Sequence, residues 1–446
     1  MSDKEQKKQS VKTILDNFRK NIFGIEYYYN KFGNLAEGED SDVMNKTIEF
    51  ITDCFKESGI NLKGNKEKQK SNKISAEKLT NLARKLKKQP KISTKNYDIL
   101  SKSSFLMLNN YFEYLLSDLL SYYYNKFQKS LNEKKFNLAL KEINDYESIE
   151  EFTKSLITKE VESMMVELSF DELLEHFHTT LEINNEKDII NWNSIRECRE
   201  RRHLIVHNSS VVNKKYITRS KNPFDLKVGD IINIDKDYFL KSGKEFFLAG
   251  LIISYNCWGK WDKELATEAI TDIMVDSFEL LKQKEYGLVS RFTNYTQKIE
   301  ARNEQEEDYL LRNKVNRLIA LKKMGDKDTL TKELKKMKVG TASPIFKLAF
   351  SILSDNHKNL IELVIQSKAI DELDEYKYNE WPIYDFVRDL PEIHTKIEAE
   401  LKTTGTGNLV PKKVVTKKTV KGSAKPSSPS VRLAKPSKRK LTSTKN

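Results

Sequence analysis

The chain has 446 residues, and 78 Lys+Arg against 65 Asp+Glu leave a formal net charge of +13. All of that excess sits in one place, because Lys402 to Asn446 carries 13 Lys/Arg and no Asp or Glu, so residues 1–401 are balanced. The longest apolar run, Phe246 to Tyr255, is ten residues, about half of the ~20 that a membrane span requires. Cys54, Cys198 and Cys257 lie far apart without a C-x-x-C pair, which excludes a disulfide framework and a cysteine zinc site. There is no G-x-x-x-x-G-K-[ST], G-x-G-x-x-G or G-x-S-x-G, so nucleotide-driven and hydrolase-elbow chemistry lack their usual supports. The opening Met1-Ser2-Asp3-Lys4 leads into no apolar leader core. The expectation is a soluble, cytoplasmic protein without a cofactor.

Fifteen glycines and nine prolines, four of the latter in the tail, are few for this length, and apolar residues recur at three- and four-residue steps. An all-α fold follows. Residues 1–94 read as an N-terminal helical region with a basic linker. Two amphipathic helices (Val11, Ile14, Leu15, Phe18, Ile22; then Ile48, Ile51, Phe55) are joined by an acidic loop at Glu37-Gly38-Glu39-Asp40. Between Asn61 and Lys95 there are 12 Lys/Arg against two acids, around a short helix with Leu79, Leu82 and Leu86 on one face.

Residues 95–290 form a second segment. Phe105, Leu108, Phe112, Leu115, Leu119 and Tyr122 follow steps of 3, 4, 3, 4 and 3, the stripe of a long core helix with Glu113 on its shoulder. A second helix is predicted over about 159–181 and a third from about Asp188 to Asn208. Leu226 to Ile234 is β-branched enough for a small strand or hairpin insert. Asp235 is placed to cap a final helix that contains the Phe246–Tyr255 run. In residues 291–401, Leu318, Leu330 and Leu334 recur as Leu348, Leu360 and Val364, and the turn Gly325-Asp326 as Asp355-Asn356. This suggests stacked, TPR-like helical hairpins of the kind that bind proteins. Residues 402–446 have nothing to build a core from and read as a disordered Lys-rich tail.

One stretch concentrates catalytic side-chain types: Arg201-Arg202-His203-Leu204-Ile205-Val206-His207-Asn208. On the stripe Ile195, Cys198, 202, Ile205, the inward position falls on Arg202, which places a guanidinium where a Leu is usual, and burying it unpaired is costly. His207 is five residues on, roughly 140° around an ideal helix, so the two converge only at a helix end or kink, or across two copies of the chain. An imidazole can take and return protons at neutral pH, and an arginine fork stabilises a phosphate as charge accumulates on it. The pair suits RNA cleavage, where the 2′-hydroxyl is an internal nucleophile and no serine or metal-activated water is needed. His176 and His178, at i and i+2, point apart and make a poor metal pair.

Arg202, polar His203, three residues, His207 and Asn208 resemble the R-x4-6-H motif of HEPN domains, helical bundles that include metal-independent ribonucleases of bacterial toxin-antitoxin and defence systems. Arg201 to His207 also fits the spacing, but only Arg202 is followed by the polar residue that the family favours. The order of elements agrees over about 95–285: a long helix with Phe112-Glu113, a second helix, the motif, then a long apolar helix. The resemblance implies a HEPN-type bundle in which His207 is the general base or acid, Arg202 holds the scissile phosphate, His203 orients it, and Glu113 positions Arg202 or His207. Arg199, Arg201 and Asn208 would contact RNA. It further implies 2′,3′-cyclic phosphate and 5′-hydroxyl ends, no metal, and a homodimer with two motifs facing one cleft. The C-terminal hairpins would take an antitoxin or regulatory protein. The alternative is a non-catalytic HEPN or helical-repeat adaptor that binds nucleic acid or a partner protein.

Overall fold

The structure, a computed structural model, describes residues 10–58, 75–88, 95–131, 134–135, 146–337 and 339–402. The tail beyond 402 and most of the basic island lie outside them, and so do the expectations that concern them. The described residues are all-α, with seventeen helices. The N-terminal part consists of α1 (Val11–Glu57), α2 (Ala76–Leu86), α3 (Asn96–Lys126), α4 (Ile149–Glu167) and α5 (Phe170–Thr179). There follow α6 (Trp192–His207), α7 (Lys214–Ser220), α8 (Lys236–Trp261), α9 (Ala266–Lys282) and α10 (Tyr286–Thr296). The C-terminal part is α11 (Glu304–Met324), α12 (Lys327–Lys336), α13 (Pro344–Leu353), α14 (Leu360–Ala369), α15 (Glu375–Glu380), α16 (Asp385–Arg388) and α17 (Pro391–Lys402).

The centre is α8. Every residue of Phe246–Tyr255 is buried, because α1 and α3 pack on it from one side and α6, α9 and α10 from others. The α3 stripe behaves as its spacing predicts, with Phe105, Leu108, Phe112, Leu115 and Leu119 all buried, each contributing roughly 1.5–3 kcal/mol. At Gly250 the helices pack tightly. A Cβ there would overlap the Phe18 ring of α1 and lie 2.9 Å from Leu115 Cδ2 of α3.

Three expectations are corrected. The N-terminal region is one 47-residue helix, not two, and the acidic stretch is helical. Its reason is tertiary: the Asp40 carboxylate accepts from the backbone N–H groups of Asn96 (3.0 Å) and Tyr97 (2.9 Å), capping α3, whose own N-cap Lys95 offers no side-chain acceptor. The helix expected over 159–181 is two, divided where Ser169 and Glu172 form a capping box that starts α5. The β insert is not a strand pair. One isolated bridge joins Val211 and Ile231, and the pairing stops because Asn213 immediately caps α7. Residue 290 lies within α10, and one cluster of buried apolar side chains runs from Val11 to Ile397.

The expected turns in the C-terminal region are present. Gly325 and Asp355 both take left-handed φ (76° and 55°) after α11 and α13. Lys322 of α11 donates to the carbonyls of Ile352 and Leu353 (3.1 Å each) and to Asp355 (2.6 Å), tying one helix pair to the next. On the other side, Arg19 of α1 joins Asp272 (3.1 Å), Asp276 (2.6 Å) and the Tyr255 hydroxyl. Glu306 is fully buried and takes the N–H groups of Arg302 and the Thr267 hydroxyl.

Gly250→Ala should destabilise the fold by about 1–3 kcal/mol through overpacking, read as a lower urea midpoint with unchanged helicity. Arg302, aided by Thr267 and opposed by burial, holds the Glu306 carboxyl down at about 2 from its ordinary 4.5. A depressed carboxyl contributes stability above its unfolded value and loses it as pH falls through the folded one. The stability gap between wild type and Glu306→Gln should therefore narrow between about pH 5 and pH 2, measured by urea titration at each pH.

Candidate functional site

Helix α6 carries the motif. Asn191 Oδ1 caps its start by accepting from Ser194 N (3.1 Å), and the Trp192 indole donates to Asn185 O (2.7 Å), fixing the helix against the preceding loop. It ends at His207, where Ser209 and Ser210 take left-handed φ of 50° and 65° and turn the chain toward α7. Leu204, Val212, Tyr216 and Ile232 form a small separate core beneath that turn.

The buried stripe of α6 is Ile195, Cys198, Arg201 and Leu204, one position away from the sequence reading. The inward guanidinium is Arg201, not Arg202. Arg201 Nε donates to Glu197 Oε1 (2.8 Å) and Nη1 to Asn233 O (3.1 Å), and the group lies over the Tyr238 ring (3.9 Å) and the Phe224 ring (5.0 Å). Glu197 also accepts from the Tyr216 and Tyr238 hydroxyls. This network fastens α7 and the 222–235 loop to α6. Arg201 is thus withdrawn from solvent by its own partners. Cys198 is fully enclosed beside Tyr238 and Ser242, and burial pushes its thiol up to about 12, so it is an inert packing residue.

Glu113 reaches α6, but at Arg199 rather than at Arg202 or His207: Oε1 accepts from Arg199 Nη1 at 2.8 Å. Arg199 also lies over the Phe170 ring at 4.6 Å. Burial draws the Arg199 pKa down, opposed by Glu113 and assisted by the charge of Arg202. The Asn208 amide is spent on Val211 O.

The remaining residues face outward together. Arg202 is half-buried; its Nε is shielded from solvent and has no hydrogen-bond partner among the described residues. His203 and His207, at i and i+4, present their rings to each other with centroids 4.7 Å apart and planes at 49°. His207 is exposed and His203 partly so. Burial lowers the His203 pKa, with Lys215 of α7, His207 and Arg202 adding to the effect and Glu200 opposing it. Lys215 could not be found from the motif, since only the turn after His207 brings α7 alongside.

Among the described residues no group of three or more His, Cys, Asp or Glu is arranged to hold a metal, and no helix is long and apolar enough to cross a membrane. His176 Nε2 is engaged by the Tyr124 hydroxyl at 2.8 Å. A polar cavity of about 700 Å³ lies beside the start of α6, lined by Asp171, Trp192, Arg196 and Arg291 among others, and does not include Arg202, His203 or His207. No family model, curated protein or solved structure matches this chain.

Replacing Arg201 by Ala leaves Glu197 charged and buried. Breaking a buried pair in this way costs about 3–5 kcal/mol, so Arg201→Ala should lower the melting temperature sharply, whereas Arg202→Ala should leave it nearly unchanged.

Proposed function

We propose that the chain is a HEPN-type, metal-independent endoribonuclease of a bacterial defence or toxin system, with a second copy of the chain completing the cleft. The observation that carries this reading is Arg202. Its guanidinium has a shielded Nε without an acceptor and no ion-pair partner among the described residues, beside two outward imidazoles. Buried donors left unmade are costly, and a phosphate is the acceptor whose shape matches an arginine fork.

In this reading the RNA 2′-oxygen attacks phosphorus and the bond to the 5′-oxygen breaks. His207 takes the 2′-hydroxyl proton or supplies one to the leaving 5′-oxygen, and Arg202 stabilises the charge on the phosphate. His203, with its pKa lowered, is the neutral ring that orients the phosphate. Glu113 acts at one remove, as a positioning residue through Arg199. The products are a 2′,3′-cyclic phosphate and a 5′-hydroxyl. Arg202 and His207 make no direct contact within one chain, and facing motifs of a homodimer would bring an arginine of one copy to a histidine of the other. The TPR-like helix pairs α11–α14 are the proposed seat of an antitoxin or regulator.

A non-catalytic adaptor is the second reading, favoured by how many of the basic side chains of α6 are consumed inside the fold. The two separate on one assay: bulk RNA with purified protein in EDTA. Cleavage with cyclic phosphate ends is expected, reduced at least ~100-fold in His207→Ala. An undiminished rate in that variant, or RNA bound intact by the wild type, removes the nuclease reading.

A further inference from the structure

We propose that His203 and His207 form a binding site for one divalent transition-metal ion of the Zn2+ type, held through a nitrogen of each ring. Side chains at i and i+4 of a helix lie one above the other on one face, the spacing by which helical histidine pairs take zinc. Here the rings are already side by side, with centroids 4.7 Å apart, at a surface that leaves His207 exposed and His203 partly so.

The availability of the ring nitrogens sets this pair apart. His176 is held by Tyr124 (2.8 Å) and His394 by Tyr378 (2.9 Å). No hydrogen bond or ion pair engages either ring of the pair among the described residues. A metal takes imidazole through a ring nitrogen that carries no proton. The charges facing the site are Lys215 and Arg202, which oppose a cation, and Glu200, one turn earlier on the same face, which offsets them. His207 also sits in the last turn of α6, where unpaired carbonyls favour positive charge.

The donor type decides the metal class. Two imidazoles without a carboxylate cluster suit Zn2+, Cu2+ or Ni2+ and not Mg2+ or Ca2+. With no third protein ligand among the described residues, water completes the coordination and the ion is exchangeable. Binding does not depend on the ribonuclease reading. If that reading holds, the consequence is inhibition, since a ring nitrogen that ligates a metal cannot carry a proton for the reaction.

The test is calorimetric titration of ZnCl2 into untagged, metal-stripped full-length protein. One Zn2+ per chain is expected, with affinity reduced at least about tenfold in His203→Ala and in His207→Ala and unaltered in His178→Ala, a surface control. Far-UV circular dichroism verifies that each variant keeps its helices. Wild-type affinity in either of the first two variants, or no binding by the wild type, overturns the site. RNA left uncut in EDTA together with Zn2+ binding that follows both histidines would sink the nuclease and leave the metal site standing.

Discussion

The tight packing of α1, α3 and α8 at Gly250 is the constraint on which the rest of the structure depends. Because position 250 has no side chain, Phe18 and Leu115 meet the backbone of α8 directly, and three long helices pack at a separation that a Cβ would forbid. With α8 enclosed along Phe246–Tyr255, its remaining sides must be covered as well, by α6 on one and by α9 and α10 on another. The position of the motif helix is in that sense a consequence of how tightly three other helices pack.

Helix α6 divides its arginines between two tasks. Arg201 is buried among Glu197, Asn233 O and two aromatic faces, where a guanidinium is acceptable because every charge has a counterpart and the flat cation stacks on rings. Arg199 is similarly committed to Glu113 and Phe170. These two, together with the network of Glu197, Tyr216 and Tyr238, hold the helix and the turn after it in place. What they leave over is Arg202, His203 and His207, a small cationic and imidazole surface whose donors and lone pairs are not spent on any of the described residues. Structural arginines positioning a free one is an arrangement suited to anion recognition.

Much of the helical core was legible in the sequence because a regular stripe is enough to place a residue inside. Phe105 to Leu119, the Phe246–Tyr255 run and the Asp235 cap, which accepts from Tyr238 N (2.7 Å), follow from local pattern. The division of α4 from α5 was also written locally, in Ser169 and Glu172, and is a signal that a reading by apolar spacing alone passes over. The unbroken α1 was not legible. Glu37-Gly38-Glu39-Asp40 resembles a loop until the start of α3, some sixty residues later in sequence, supplies N–H groups for Asp40. The register of α6 failed for a related reason: with arginines at both 201 and 202, periodicity cannot tell which has Glu197 and Tyr238 waiting for it.

For the candidate site, the sequence by itself determined the inventory: a helix carrying Arg199, Arg201, Arg202, His203 and His207, with a histidine pair four residues apart that helical geometry must place on one face. Only the tertiary structure decided which of these are spent and which are free. Local sequence sets backbone conformation through hydrogen bonds within a few residues, so spacing is readable. The fate of a charged side chain depends on partners brought in from afar, here Glu113 of α3, Asn233 and Tyr238 beyond the turn, and Lys215 of α7. Burial of a charge is permitted only where such partners converge, and that convergence is a property of the folded chain.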